Sequence, residues 1–412
     1  ALEGRKEAAM RRKRDPYGSV AYGGMDVHYK FSNVTWRDAA GRIVGREKLR
    51  HEDRVAVREQ IGRWPRGTPV VLEASFGWGW LSDELAAAGL EPRLSNCYKV
   101  EQMRKARGQA KTNTKDADLL SLLPAEAEPW WQVWPAPPEV RDQREWLRYR
   151  MGLVAMQTQT KNRIHAHFHR HGIYHGFSDL FGGQGRRFLL TLCATGRHAG
   201  GELPPGALAS LSGQVRLLFG LRAELASVAV QLRQSLERSP LVRRLKTIPG
   251  VGVILSHVIA AEVGRIERFA GHKALASYAG LAPQSRDTGE ADPSRAPLGR
   301  RLGVRCNRTL RWAFVEAAHA AVRHGGRWRA LFDRVTSGGT RDRQRGVIKV
   351  ARELVKVVFV VWSRNVAYQE MPPSRPGDDA SRSRRVGQDS RSGTGQPFHP
   401  RVPAACGREA SL

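Results

Sequence analysis

The sequence predicts a mixed α/β domain, then a long helical hairpin, then a mostly helical third region. Three observations carry this. Residues 20–50 alternate apolar and polar side chains as hairpin strands do. Short apolar strands then alternate with amphipathic stretches as far as residue 123. Two long segments rich in Leu, Val, Arg and Gln, 141–171 and 205–238, follow at helical spacing.

The elements are justified in order. Residues 1–18 are polar and basic, without an apolar stretch of the kind a secretory signal needs, and read as a disordered arm. The run from Val20 to Leu49 alternates, with a turn at Asp38–Gly41. Residues 51–64 have helical spacing, 69–75 form a short buried strand, and 80–90 form an amphipathic helix that stops at a glycine. Residues 92–97 are a further strand, and a helix starts near 115. A Pro- and Trp-rich connector covers 124–140. The two long helices pair as an antiparallel hairpin or self-associate as a coiled coil; the repeat does not choose, and the segment between them reads as irregular. Helices follow at 253–263, 272–278, 307–323 and 343–365, with a loop at 283–303. The resulting domains are 19–124, 125–240 and 241–368, with a disordered tail at 369–412.

Lys plus Arg number 68 against 39 acidic residues, a formal charge of +29 spread along the 412 residues. A GC-rich genome also enriches Arg, but an excess of this size points to a polyanionic partner, most often nucleic acid. The four cysteines are far apart, with no CxxC pair, which argues against a zinc ribbon or a disulfide framework and suits a reducing cytoplasm. No apolar run is long enough to span a bilayer, so no membrane partner is expected.

Asp26 ends the first predicted strand, Glu73 ends a strand flanked by Val70, Val71 and Leu72, and Asp116 opens a helix. Carboxylates at adjacent strand ends and a helix start converge on one point, and hard cations such as Mg²⁺ take oxygen ligands of this type. Two such ions brace the attacking and leaving oxygens of a phosphodiester. Ordinary surface acids are the competing reading; a both-faces-buried strand ending in a carboxylate favours the site. In the third region, Ile248–Gly252 lies between a basic stretch containing Lys246 and an apolar helix, the form of a helix-hairpin-helix turn in which Gly250 and Gly252 let backbone N–H groups reach a phosphate. A tight turn between two core helices is the alternative.

MDVHYKF, VVLEAS and RKARGQAKTNTKDADLLSLL resemble the DEDD insertion-sequence transposases, whose first domain has an RNase H-like (RuvC-like) fold. The stretch from IPGVG through SYAGLAPQSRDTGE to NRTLRWAFVEAA, which includes Arg311, is similar to that family's C-terminal transposase domain. The resemblance covers most of 20–365. It implies a metal set of Asp26, Glu73, Asn113 and Asp116, with Asn113 where the family has the first Asp of a D-x-x-D pair. It implies a hydroxyl nucleophile in the loop after GLAP, here Thr288 or Ser285, and Cys306–Asn307 where Gly-Asn is usual. It further implies two Mg²⁺ ions (Mn²⁺ as substitute), DNA ends and target as partners, a structured guide RNA, a dimer or tetramer, and a place at the nucleoid. Lys246, Gly250, Gly252 and Arg311 would engage nucleic acid. A RuvC-like nuclease that uses water, and a copy that binds without reacting, remain as alternatives. His165, His167, His169 and His171 form i,i+4 pairs without a carboxylate and are not read as a metal site. Trp130, Trp131 and Trp134 are read as packing residues of the connector.

Overall fold

A computed structural model describes residues 17–108, 112–282, 302–303, 305–340 and 342–369. Nearly all of the expected arm and tail, and most of the 283–303 loop, lie outside the described residues.

The first region is built on a six-stranded sheet in the order β3-β2-β1-β4-β5-β6. β1 (Tyr22–Val27), β2 (Phe31–Arg37) and β3 (Ile43–Arg50) form an antiparallel meander, with the expected turn held by the Asp38 carboxylate accepting from the Arg42 N–H at 2.9 Å. β4 (Pro69–Glu73) pairs parallel with β1, and β5 (Glu91–Ser95) parallel with β4; the short β6 (Gln132–Val133) closes the far edge antiparallel. Between strands lie α1 (Arg54–Gly62), α2 (Trp78–Ala87), α3 (Cys97–Ala106) and α4 (Asn113–Leu120). The mixed sheet with crossover helices agrees with the expected fold class.

Two features of the strand sequences set how the layers meet. Val70, Val71 and Leu72 are buried on both faces of the sheet, so β4 is central. Gly23 and Gly24 leave β1 bare, which in a strand marks close approach of another backbone. A Cβ on Gly24 would lie 2.6 Å from the Ala117 carbonyl oxygen and closer still to the Ser121 N–H, so α4 rests directly on the β1 backbone. Arg37 fastens the same helix, donating to Ser121 Oγ at 2.7 Å and to the Asp118 carbonyl at 3.1 Å. Trp36 and Trp64 pack edge to face, 4.9 Å apart, in the core on the other side.

Two of the three connector tryptophans pack as expected: Trp131 is buried with Val71 and Leu120, and the Trp134 ring fills the space beside Gly264, a glycine with φ 68°; Trp130, expected to pack as well, is exposed. α5 (Pro138–Arg170) and α7 (Pro205–Arg238) form an antiparallel hairpin, since the start of α5 meets the end of α7 and Ile164 and Phe168 meet Leu211 and Val215. The segment between them, expected to be irregular, contains α6 (Gly183–Thr195). Its glycines hide the pattern: Gly183 and Gly185 fall in the first turn, and Leu189 and Leu192 carry the buried face. The hairpin base belongs to a third core, which joins Leu147 and Leu232 to α8 (Pro240–Lys246), α9 (Val253–Val263), α10 (His272–Tyr278), α11 (Arg308–His324), α12 (Gly326–Thr336) and α13 (Arg343–Ser363). Among the described residues no helix is long and apolar enough to cross a membrane.

Gly24→Ala is expected to lower stability by about 1–3 kcal/mol, because neither backbone it would strike can move without unseating α4. Gly62→Ala, where an added Cβ meets nothing within 4 Å, should change it by less than about 1 kcal/mol. Thermal melts of the two variants test this.

Candidate active site

The sheet register brings two of the anticipated acids side by side. Met25 pairs with Leu72 across β1 and β4, so Asp26 and Glu73, one residue further on each, end neighbouring parallel strands. Asp116 lies in the first turn of α4, which Thr112 caps by accepting from the Lys115 N–H, and which Gly24 allows to sit against β1. The side chain of Asn113 lies outside the described residues.

The three carboxylates lie close enough for the charges of Asp116 and Glu73 to act on Asp26. Burial pushes the Asp26 carboxyl above its ordinary range; His28 draws it back, and Asp116 and Glu73 each push it up again. The counter-charge present is small: His28 Nε2 stands 2.9 Å from Asp26 Oδ2. Cys97 lies beside Glu73 and donates its thiol to the Ala74 carbonyl at 3.2 Å; burial and the Glu73 charge push the thiol up to about 11, so it stays protonated at neutral pH. Neither His28 nor Cys97 is singled out by the sequence, although His28, two residues past Asp26 on the same strand face, could have been found by its spacing.

A divalent cation suits this donor set, because it is all oxygen and its mutual repulsion is left uncompensated. Among the described residues no three His, Cys, Asp or Glu side chains already enclose an ion, so the carboxylates would have to draw inward on binding. Asp118, two residues from Asp116, is directed elsewhere. It accepts from Thr35 Oγ1 at 2.8 Å and from Arg46 at 2.9 and 3.0 Å. Burial works against its charge, but the Arg46 and Thr35 hydrogen bonds hold its carboxyl below the usual range.

The third region places its candidates differently. Gly250 has φ 85°, and a Cβ there would strike the Ala317 carbonyl and stand 2.7 Å from the Ala321 N–H, so this glycine serves the packing of the turn onto α11. Gly252 precedes α9 with open space around it, and Lys246 is exposed in the last turn of α8. Of the turn, only Gly252 and its flank are open to a ligand. Arg311 is engaged within the fold: its guanidinium donates to the Ala279 carbonyl at 3.4 Å and to the Gly303 carbonyl. Thr288 and Ser285 lie outside the described residues. The neck of their loop is described. The Asn307 N–H donates to the Tyr278 carbonyl at 2.9 Å, and its amide donates to the buried Glu262 at 2.8 Å and to the Tyr278 hydroxyl at 3.1 Å. Arg148 from α5 completes the cluster, 3.1 Å from Glu262.

Two family models match this chain. One, for transposases of the DEDD IS110 type, matches residues 23–173; the other, described as the transposase IS116/IS110/IS902 family, matches residues 242–333. They match different parts of the chain in the order expected of one protein, and together cover more than half of it. The chain belongs to the IS110-type DEDD transposase family. Among relatives, the insertion element IS110 43.6 kDa protein of Streptomyces coelicolor is 29% identical over 158 residues, 38% of this chain and 37% of that protein. The insertion element IS116 44.8 kDa protein of Streptomyces clavuligerus is 28% identical over 148 residues, 35% of this chain and 34% of that protein. The putative transposase y4rJ of Sinorhizobium fredii is 25% identical over 323 residues, 74% and 77% of the two chains. The matched stretch thus spans just over a third of the two Streptomyces relatives.

The opposite surroundings of the two aspartates predict opposite effects on stability without metal. A carboxyl held above its ordinary range opposes folding once it ionises; one held below supports folding above its unfolded range and loses that support as pH falls. At neutral pH, Asp26→Asn should raise the melting temperature of the metal-free chain. Asp118→Asn should lower it, by about 1 kcal/mol of stability for the weakened Arg46 and Thr35 contacts. Melts in EDTA check both signs.

Proposed function

We propose that this chain is the transposase of an insertion sequence and that its first domain cuts and exchanges DNA strands with a divalent metal. The observation that carries the reading is the convergence of Asp26, Glu73 and Asp116 at the ends of β1 and β4 and the start of α4. Asp26, Glu73 and Asp116, with the Asn113 amide oxygen as an uncharged fourth ligand, would hold Mg²⁺, and Mn²⁺ would substitute for it. When bound, such an ion neutralises the charge that develops on a phosphodiester during displacement.

The chain's own residues then have distinct tasks. Asp26 and Glu73 bring charge to the phosphate site from a rigid pair of strands. His28 holds the Asp26 carboxylate in place at its outer oxygen. Thr288, with Ser285 as the alternative, would supply the hydroxyl whose oxygen bonds to phosphorus while a strand oxygen leaves, giving a covalent protein–DNA intermediate. Asn307, clamped to Tyr278 and Glu262, anchors one end of the loop that carries it. The exposed Lys246 and the open Gly252 would meet a backbone phosphate. The charge of +29 accommodates both DNA and a structured guide RNA, and predicts binding that weakens steeply with salt. A dimer or tetramer is the assembly this reading carries.

Labelled DNA bearing the element's ends, incubated with the protein, its neighbouring noncoding RNA and Mg²⁺, tests the proposal. Wild type should yield a covalent adduct and strand-transfer products. Asp26→Ala and Glu73→Ala should abolish both, a loss of at least about a hundredfold, while DNA binding persists. Thr288→Ala should remove the adduct, and Asn113→Asp should raise activity at limiting Mg²⁺. Wild-type rates in Asp26→Ala would refute the metal site, free nicked DNA without adduct would favour water as nucleophile, and an adduct lost only in Ser285→Ala would move the nucleophile to Ser285.

A further inference from the structure

Three neighbouring strands end in the same way. In β4 and β5, Glu73 pairs with Ser95 at the strand ends, and Asp26, one residue before the end of β1, lies alongside Glu73. Three residues beyond each of these positions stands an exposed aromatic ring: Tyr29 after Asp26, Phe76 after Glu73, and Tyr98 after Ser95. Tyr29 is 93% exposed, Phe76 fully exposed, and Tyr98 is 37% exposed beneath the Arg305 guanidinium, 3.2 Å from the ring centre. Single exposed rings need no account, but several at one rim do. They lie at the carboxyl ends of parallel strands, where α/β sheets receive ligands.

We infer that Tyr29 and Phe76 form a stacking surface for unpaired bases of the DNA strand whose phosphate lies at Asp26 and Glu73. The inference rests on the reading of those acids given above. Every base presents a flat face, so exposed rings grip single-stranded DNA without reading its sequence, provided that cations follow the backbone. Cations lie nearby: Lys30 adjoins Tyr29, Lys99, which donates to the Trp130 carbonyl, adjoins Tyr98, all exposed, and Arg54, paired with Glu84, lies over Trp80 at 4.2 Å on the first turns beyond the strands. Neither Tyr29 nor Phe76 meets an aromatic or cationic partner among the described residues. A strand must be unpaired locally to enter an exchange reaction, and rings three residues beyond the acids would hold the bases next to the reacting phosphate apart from their complement. The chain's formal charge of +29 favours a nucleic-acid strand over an apolar protein partner as the occupant of these rings.

The test uses the full chain in EDTA, so that no reaction contributes. A fluorescent single-stranded DNA of mixed sequence, its duplex form and the RNA of the same sequence are titrated by anisotropy. Tyr29→Ala and Phe76→Ala should each weaken single-strand DNA binding at least about fivefold, and duplex binding by less than about twofold, with unchanged melting temperature. Phe76→Trp and Tyr29→Phe should retain wild-type affinity. Unchanged single-strand affinity in the double alanine variant overturns the inference. So does a loss confined to RNA, and so does a change of oligomeric state on sedimentation that accounts for the loss. Asp26→Ala separates this from the reading beneath it. If that variant stays active while the alanine variants lose single-strand binding, the acid site falls and the stacking surface stands; if it is inactive and the rings are without effect, only the stacking surface is withdrawn.

Discussion

The burial of Asp26 beside the charges of Glu73 and Asp116 is the constraint that the arrangement of the first domain has to meet. Three carboxylates do not gather in a fold without something to hold them there. Here the restraint is backbone geometry. Two parallel strands in fixed register deliver Asp26 and Glu73, and a helix pressed onto a side-chain-free stretch of β1 delivers Asp116. Gly24 is therefore as much a part of the site as the acids, since any side chain there would push α4 and Asp116 away. Arg37 and the Asp118–Arg46 pair fasten the same helix from its other side. Neighbouring acids of one short helix thus divide: Asp116 lies near Asp26, and Asp118 is neutralised by Arg46 and hydrogen-bonded by Thr35.

Much of this was legible in the sequence because strands and helices impose different periods. The hairpin meander, the both-faces-buried β4 and the two long helices each follow from spacing, and so does the placing of acids at strand ends. What stayed hidden had local causes. α6 begins at a run of glycines, and α3 is so rich in Lys, Arg and Gln that Val100 is its one buried residue. α12 is a short helix between two glycine-marked breaks, which hide it in the sequence. Gly250 and Gly252 look equivalent in the sequence; only the proximity of α11 shows that one is used for packing and the other left open. Arg311, read from the sequence as a nucleic-acid contact, also donates to the Ala279 and Gly303 carbonyls, which its sequence position does not reveal. Cys97 depends on a contact with the Ala74 carbonyl, just past the end of β4, which no spacing rule reports.

The third region is built around the base of the helical hairpin, so α5, α9, α10 and α11 share one set of apolar contacts. Within it Glu262 is almost wholly buried yet satisfied, by Arg144 and Arg148 from α5 and by Asn307 from α11. A buried carboxylate with three partners from two directions fixes geometry more than it adds stability. What it fixes is the position of Asn307 against Tyr278 and the base of α5.

The central claim is that Asp26, Glu73 and Asp116 hold a divalent cation, and that Asp118 does not. Titration of Mn²⁺ into the metal-free chain, followed by electron paramagnetic resonance, measures this without any reaction. The account predicts a bound ion whose affinity falls at least about tenfold in Asp26→Asn and in Glu73→Gln and is preserved in Asp118→Asn. Binding that survives Asp26→Asn and disappears in Asp118→Asn would contradict it.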